Sequence, residues 1–163
     1  MGRHGGLPPL INGFPDGLLA WGISMFQNPE DPVIDEILSR HRTIAVVGCS
    51  PKAERDSNMI ARLLLRKGHQ VIPVNPGHRQ ILGQTCYKDL LSIPVPVEMV
   101  DVFRRSEYIA GIAEQAVRIG AKILWTQLGV YDESAARFAQ DAGLIVIMNR
   151  CPAIEYRRLN ITM

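Results

Sequence analysis

The chain has 163 residues, 47% hydrophobic and 21% charged, with a net charge of +2. That length suits one domain with one buried core, and the composition argues against both disorder and a membrane span. So small a net charge gives no general affinity for nucleic acid, and any anion site has to be local.

Residues 1–29 read as an N-terminal extension rich in Gly and Pro. Its apolar patch, Leu18 to Ile23, is too short to cross a bilayer. Arg3 and the prolines make a poor secretory signal. The extension is expected to pack through Trp21 and Phe26 or to stay disordered, and Met25 could be the natural start. It could also cover the surface of a homodimer.

Asp31-Pro32 looks like an N-cap followed by a first-turn proline, and Ile34, Ile37 and Leu38 share one face of a helix ending near His41. An apolar strand, 43 to 48, ends in the small-residue turn Gly48-Cys49-Ser50. Ser57 and Asn58 open the next helix, with Ile60, Leu63 and Leu64 inward and Gly68 as its stop. The second strand, 69 to 74, closes at Pro73, Asn75 and Pro76. A glycine-bearing loop from Gly77 to Gln84 carries His78 and Arg79, and a short helical turn follows around Lys88 to Leu91.

The third strand, Met99 to Phe103, breaks at Arg104-Arg105. Ser106 is expected to cap a helix whose Ile109, Ile112, Ala113, Ala116 and Val117 form one stripe. After Gly120 comes a fourth strand, 121 to 126. Asp132 then caps a helix with Ala135, Phe138, Ala139 and Ala142 inward, and a fifth strand spans 144 to 148. The strands are continuous apolar runs that alternate with helices, which predicts a Rossmann-like α/β fold: a single-domain, doubly wound, parallel five-stranded sheet covered on both faces over residues 30–163.

In such sheets ligands bind beyond the carboxyl ends of the strands, near the point where strand order reverses. Those ends carry Gly48-Cys49-Ser50, Pro73-Val74-Asn75-Pro76, Phe103-Arg104, Trp125-Thr126-Gln127-Leu128-Gly129 and Asn149-Arg150-Cys151-Pro152. Polar turns alone explain part of this. They explain less well the amides, arginines and aromatic rings gathered at one rim. The first turn suits an anion, because loop amides and a helix start both point past the strand end.

The loop lacks the dinucleotide fingerprint, since Ser50 and Ala53 stand where glycines would be needed, and Val74-Asn75-Pro76 offers no ribose-binding carboxylate. NAD is therefore disfavoured. Lys52, Arg55, Arg79 and Arg104 could meet additional phosphates, with Arg55 and Arg104 the preferred pair. A charge-assisted hydrogen bond contributes roughly 1.5 to 3 kcal/mol, against about 0.3 to 1 kcal/mol for a helix end.

Cys49, Cys86 and Cys151 cannot all pair, and neither they nor the four histidines show metal spacing, which fits a reducing, cytoplasmic setting. No Ser/His/Asp set or carboxylate pair converges on the rim, so no catalytic or metal-binding residue is assigned. Cys49 and Cys151 are the reactive candidates, and a small buried thiol fitting a tight turn is the simpler reading of each.

The five strand-end blocks, in this order, resemble those of the stand-alone CoA-binding domain proteins, a family similar to the N-terminal domain of the succinyl-CoA synthetase alpha subunit. The resemblance covers about residues 30 to 158. It implies a small-molecule nucleotide ligand, coenzyme A or an acyl-CoA, with no nucleic-acid or membrane partner. The phosphates would lie on Gly48 to Ser50, the nucleotide beside Pro73 to Pro76, and the pantetheine arm past Phe103, Gln127 and Asn149. The candidate binding residues are then Gly48, Cys49, Ser50, Lys52, Arg55, Ser57, Asn58, Pro73, Asn75, Pro76, Phe103, Arg104, Gln127, Gly129, Asn149 and Cys151. Ligase chemistry is not implied, because the synthetase uses a phosphorylated histidine from a second domain, and this chain has neither that domain nor a histidine at a strand end. An NAD(P)-binding oxidoreductase-like or redox protein, and a regulatory module without ligand, are the other readings.

Overall fold

The structure is a computed structural model that describes residues 25–162. Trp21 and the apolar patch around it lie outside those residues. Five parallel strands, β1 (Thr43–Val47), β2 (Gln70–Val74), β5 (Met99–Val102), β6 (Ile123–Thr126) and β7 (Ile145–Ile147), form a sheet in the order β2-β1-β5-β6-β7. A two-stranded hairpin, β3 (Gln80–Ile81) with β4 (Gln84–Thr85), stands apart.

Each strand is buried on both faces because alternate side chains enter separate cores. Ala45, Val47, Val100 and Val102 pack with α3 (Ile109–Arg118) and α4 (Glu133–Asp141). Ile44, Val46, Met99 and Trp125 pack with α1 (Asp31–Ser39), α2 (Asp56–Arg66) and α5 (Pro152–Arg158). Strand order reverses between β1 and β5, so the rim above Gly48 and Phe103 is the switch point.

Several sequence expectations shift by local chemistry. Asp31 is the first helical residue and Glu30 takes the cap position without a capping side chain. Asp31 instead accepts hydrogen bonds at 2.6 and 2.8 Å from Arg158, which ties α1 to α5. Ser106 caps no helix. It begins a 3₁₀ turn (Ser106–Tyr108), and its hydroxyl accepts from the Tyr131 amide at 2.9 Å. Asp132 does cap α4, accepting from the Ala135 amide at 3.0 Å. The buried face of that helix is Ala135, Ala136 and Ala139, while Phe138 and Ala142 are exposed.

The loop expected over 77 to 84 is largely the β3–β4 hairpin. Its two-residue turn, Leu82-Gly83, has φ of 53° and 71°, the positive pair that a type I′ turn demands. Just beyond it, Tyr87 bonds to the outer edge of β2 through Pro73 O (3.1 Å) and the Asn75 amide (2.9 Å). Pro73 has no N–H to offer and is tolerated on this edge strand.

Of the N-terminal extension, residues 26–28 are tied down. The Phe26 amide donates to Glu133 at 2.7 Å, and Asn28 brackets the Met148 backbone at 2.8 and 2.9 Å. Among the described residues no helix is long and apolar enough to cross a membrane.

Candidate functional site

Gly48 occupies the switch point because nothing larger fits. Its φ is +84°, and a Cβ there would stand 2.7 Å from the Phe103 carbonyl oxygen and 3.0 Å from Arg104 Cδ. Close approach of the β1 end to the β5 end thus depends on the missing side chain. The glycine's amide donates to Val74 O at 2.9 Å, so three strand ends meet at this residue.

The loop after Gly48 is rigidified by its own side chains. The Ser50 amide donates to Ser57 Oγ (2.9 Å), Asn58 Nδ2 to Ser50 O (2.9 Å) and Asn75 Nδ2 to Cys49 O (2.9 Å). The Lys52 amide turns back onto Ser50 Oγ at 3.1 Å. The amides of Gly48, Ser50 and Lys52 are therefore engaged inside the protein, contrary to the expectation that the loop amides themselves face an anion. Donors suited to an anion stand instead at α2, whose N-terminus has no side-chain cap. The amides of Asp56, Ser57 and Asn58 are its first-turn donors, which no carbonyl of the helix can satisfy.

A cavity of about 530 Å³ opens over that helix start, lined by Gly48, Ser50, Pro51, Lys52, Arg55, Asp56, Ser57, Asn75, His78 and Phe103. A second, of about 1270 Å³, lies between α2 and α5 and reaches the rim at Phe103, Arg104, Gln127, Gly129 and Cys151. Phe103 and Asp56 line both cavities. The Arg104 guanidinium stacks over the Tyr108 ring with 4.3 Å to its centroid.

Eleven of the residues expected from sequence thus border one cavity or the other: Gly48, Ser50, Lys52, Arg55, Ser57, Asn75, Phe103, Arg104, Gln127, Gly129 and Cys151. Five do not. Cys49 is buried in the core beneath the loop, and burial pushes its thiol up to about 12, so it is a packed thiol at neutral pH. Asn58 is buried and braces Ser50. Pro73 lies inside β2, and Pro76 is exposed beyond the cavity. Asn149, at φ 56°, turns its Oδ1 onto the Gly129 amide at 2.8 Å and thereby fixes the loop after β6.

All three cysteines are free thiols, Cys151 being half-buried and next to the α5 start. Among the described residues no cluster of histidine, cysteine and carboxylate side chains could hold a metal. Sequence reading missed α5 altogether, and with it one wall of the larger cavity. Cys151-Pro152 was its signal, a proline at the first helical position. His78, noted in the sequence as a loop residue but left out of the candidate binding set, lines the smaller cavity from the loop before β3.

These features define a parallel-sheet α/β protein with its clefts at the strand ends. Residues 42–157 match the model of the CoA binding domain, and the chain belongs to that family. It is similar to the uncharacterized protein YneT of Bacillus subtilis, with 39% identity over 130 residues that make up 80% of this chain and 96% of YneT. A hypothetical protein from Pyrococcus horikoshii OT3 shares the fold, with a TM-score of 0.78 and 40% identity over 85% of this chain and 99% of that one. A partial likeness, 31% identity over 77 residues, links 47% of this chain to 11% of the ADP-forming acetate–CoA ligase I of Archaeoglobus fulgidus.

Proposed function

We propose that the protein binds coenzyme A or an acyl-CoA across the carboxyl ends of its sheet, and that binding rather than turnover is its activity. The phosphates lie in the smaller cavity, against the first turn of α2 and the side chains of Lys52, Arg55 and His78. The pantetheine arm passes Phe103 and enters the larger cavity beside Gln127 and Cys151. One observation carries this reading: the two cavities share Phe103 and Asp56, so a basic cradle at a helix start continues into a wider, more apolar cleft. A ligand with a phosphorylated head and a long, less polar arm fits that sequence of surfaces. Membership of the CoA binding domain family supports the same ligand.

The β2 end favours this reading over NAD. Asn75 uses both ends of its amide locally, on Cys49 O and on the Gly77 amide at 2.9 Å, and the β2 end itself, Val74-Asn75-Pro76, carries no carboxylate to hold a ribose; Asp56, which also lines this cavity, belongs to the start of α2. Isothermal titration with CoA, acetyl-CoA, NAD and NADP tests the proposal. CoA or acetyl-CoA is expected to bind most tightly, and a preference for NAD would reverse the conclusion.

A further inference from the structure

The larger cavity has a shape that a CoA arm alone does not explain. Asp56, Met59, Ile60, Leu63, Arg66 and Lys67 all line it, and their spacing places them on one stripe of α2. The stripe spans the whole helix, roughly 16 Å at 1.5 Å per residue. Ala153, Tyr156, Arg157 and Asn160 line the facing wall along and just past α5, again at three- and four-residue steps. The cleft is therefore a groove between two helices. It starts at the phosphate cavity's edge and runs away from the sheet rim toward Lys67.

Its middle is apolar and only partly covered: Met59 is 43% exposed and Leu63 is half-buried. At the far end the Lys67 ammonium is held by Ile161 O at 3.3 Å and lies 4.8 Å from the Tyr156 ring centroid, so the ammonium bounds the groove. The alkyl stems of Arg66 and Arg157 extend the walls while their charges reach water. At about 1270 Å³ the groove exceeds the roughly 300 to 1,000 Å³ of ordinary small-molecule pockets. With the pantetheine arm at its rim end, an acetyl group would leave the stretch between α2 and α5 unfilled.

We infer that this groove receives the hydrocarbon chain of a medium- or long-chain acyl thioester, which makes the protein selective for fatty acyl-CoA over free CoA. The inference rests on the CoA reading above. Continuity with the phosphate cavity through Phe103 and Asp56 singles out this occupant. A chain attached to the thiol of a CoA bound at the rim emerges beside Gln127 and Cys151, at the open end of the groove. A docked protein segment would gain nothing from that continuity.

Titration calorimetry of the full chain with CoA and with acetyl-, butyryl-, hexanoyl-, octanoyl- and decanoyl-CoA tests it. Each two-carbon step is expected to tighten binding roughly 4- to 15-fold, corresponding to about half to all of the 0.8 kcal/mol per buried methylene. Met59→Trp, at an exposed position that tolerates a larger side chain, is expected to flatten the series without altering affinity for CoA itself. Leu63→Glu should do the same by charging the wall, and thermal unfolding of both variants confirms that they fold. CoA binding with no dependence on chain length overturns the groove's assignment and leaves the CoA reading intact. Failure of CoA and every acyl-CoA to bind overturns both. A dimer in sedimentation whose formation is blocked by Met59→Trp, together with a flat series, assigns the groove to a second copy and also overturns the inference.

Discussion

Gln127 donates a hydrogen bond from Nε2 to Oδ1 of Asp101, a fully buried carboxyl on the central strand whose Oδ2 has no hydrogen-bond partner. Asp101 sits in register between Val46 and Trp125, so it faces apolar neighbours on both sides. Gln127 in turn lines the larger cavity. The buried acid thus fixes the orientation of an amide at the rim, at the cost of its own desolvation.

Burial raises the Asp101 carboxyl to about 7, against the opposing effects of the Gln127 hydrogen bond and of the Val102 backbone amide. A carboxyl raised on folding binds more protons in the native state than in the unfolded state between about 4 and 7. Stability from this group therefore falls as pH rises through that window. Asp101→Asn is expected to remove this component, so that wild type loses stability relative to the variant between pH 4 and pH 7 in urea melts. A constant difference across the window would show that Asp101 is ionised throughout.

His69 acts in the opposite sense. The Arg42 amide donates to its Nδ1 at 3.1 Å, which leaves Nε2–H to donate to Tyr156 Oη at 2.6 Å, and the Tyr156 hydroxyl donates in turn to Leu38 O at 3.0 Å. Burial foremost, then the charges of His41 and Arg42, lower His69 to about 4. Its stabilising contribution is present above the unfolded value near 6.5 and is lost as pH falls toward 4. His69→Gln should be less stable than wild type at pH 7 and lose less on acidification to pH 4.5. An equal or steeper acid loss in the variant would refute the assignment.

Gly48→Ala introduces strain of about 1 to 3 kcal/mol from the positive φ alone, before the clash with the Phe103 carbonyl. We expect a lower unfolding midpoint and weakened CoA binding together, because the β1 and β5 ends must separate. Gly83→Ala provides the control. Its φ of +71° is also positive, but a Cβ there meets nothing within 4 Å, so only the first loss should appear.

Lys52 and Arg55 are exposed around the smaller cavity. Replacing Arg55 by Gln should weaken CoA binding about tenfold, near 1.4 kcal/mol, which is below the value for a buried charged hydrogen bond because water screens the pair. The ratio of wild-type to variant affinity should shrink as salt rises. Unchanged affinity at low salt would remove Arg55 from the phosphate site.

Much of the fold was legible in the chain because continuous apolar strands and glycine-stopped helices are local signals. Val46-Val47-Gly48 and Val100-Asp101-Val102-Phe103 placed the rim of the candidate site before any geometry was known. What stayed hidden depends on partners distant in sequence. Asn149 looked like a ligand contact, yet its amide holds Gly129 across two strand ends. Cys49 and Asn58 looked like rim residues, yet the loop folds over them. Helix α5 is only seven residues long, too short for periodicity to reveal, and it is held by tertiary contacts: the buried Tyr156 packs in the core, and Arg158 joins Asp31 to Glu155.

The most direct test is a crystal structure of the protein soaked or grown with coenzyme A. The phosphates are expected against the Asp56, Ser57 and Asn58 amides, beside Lys52 and Arg55, with the thiol arm crossing Phe103 toward Cys151. Coenzyme A bound elsewhere, or that crevice empty at saturating ligand, would contradict the account.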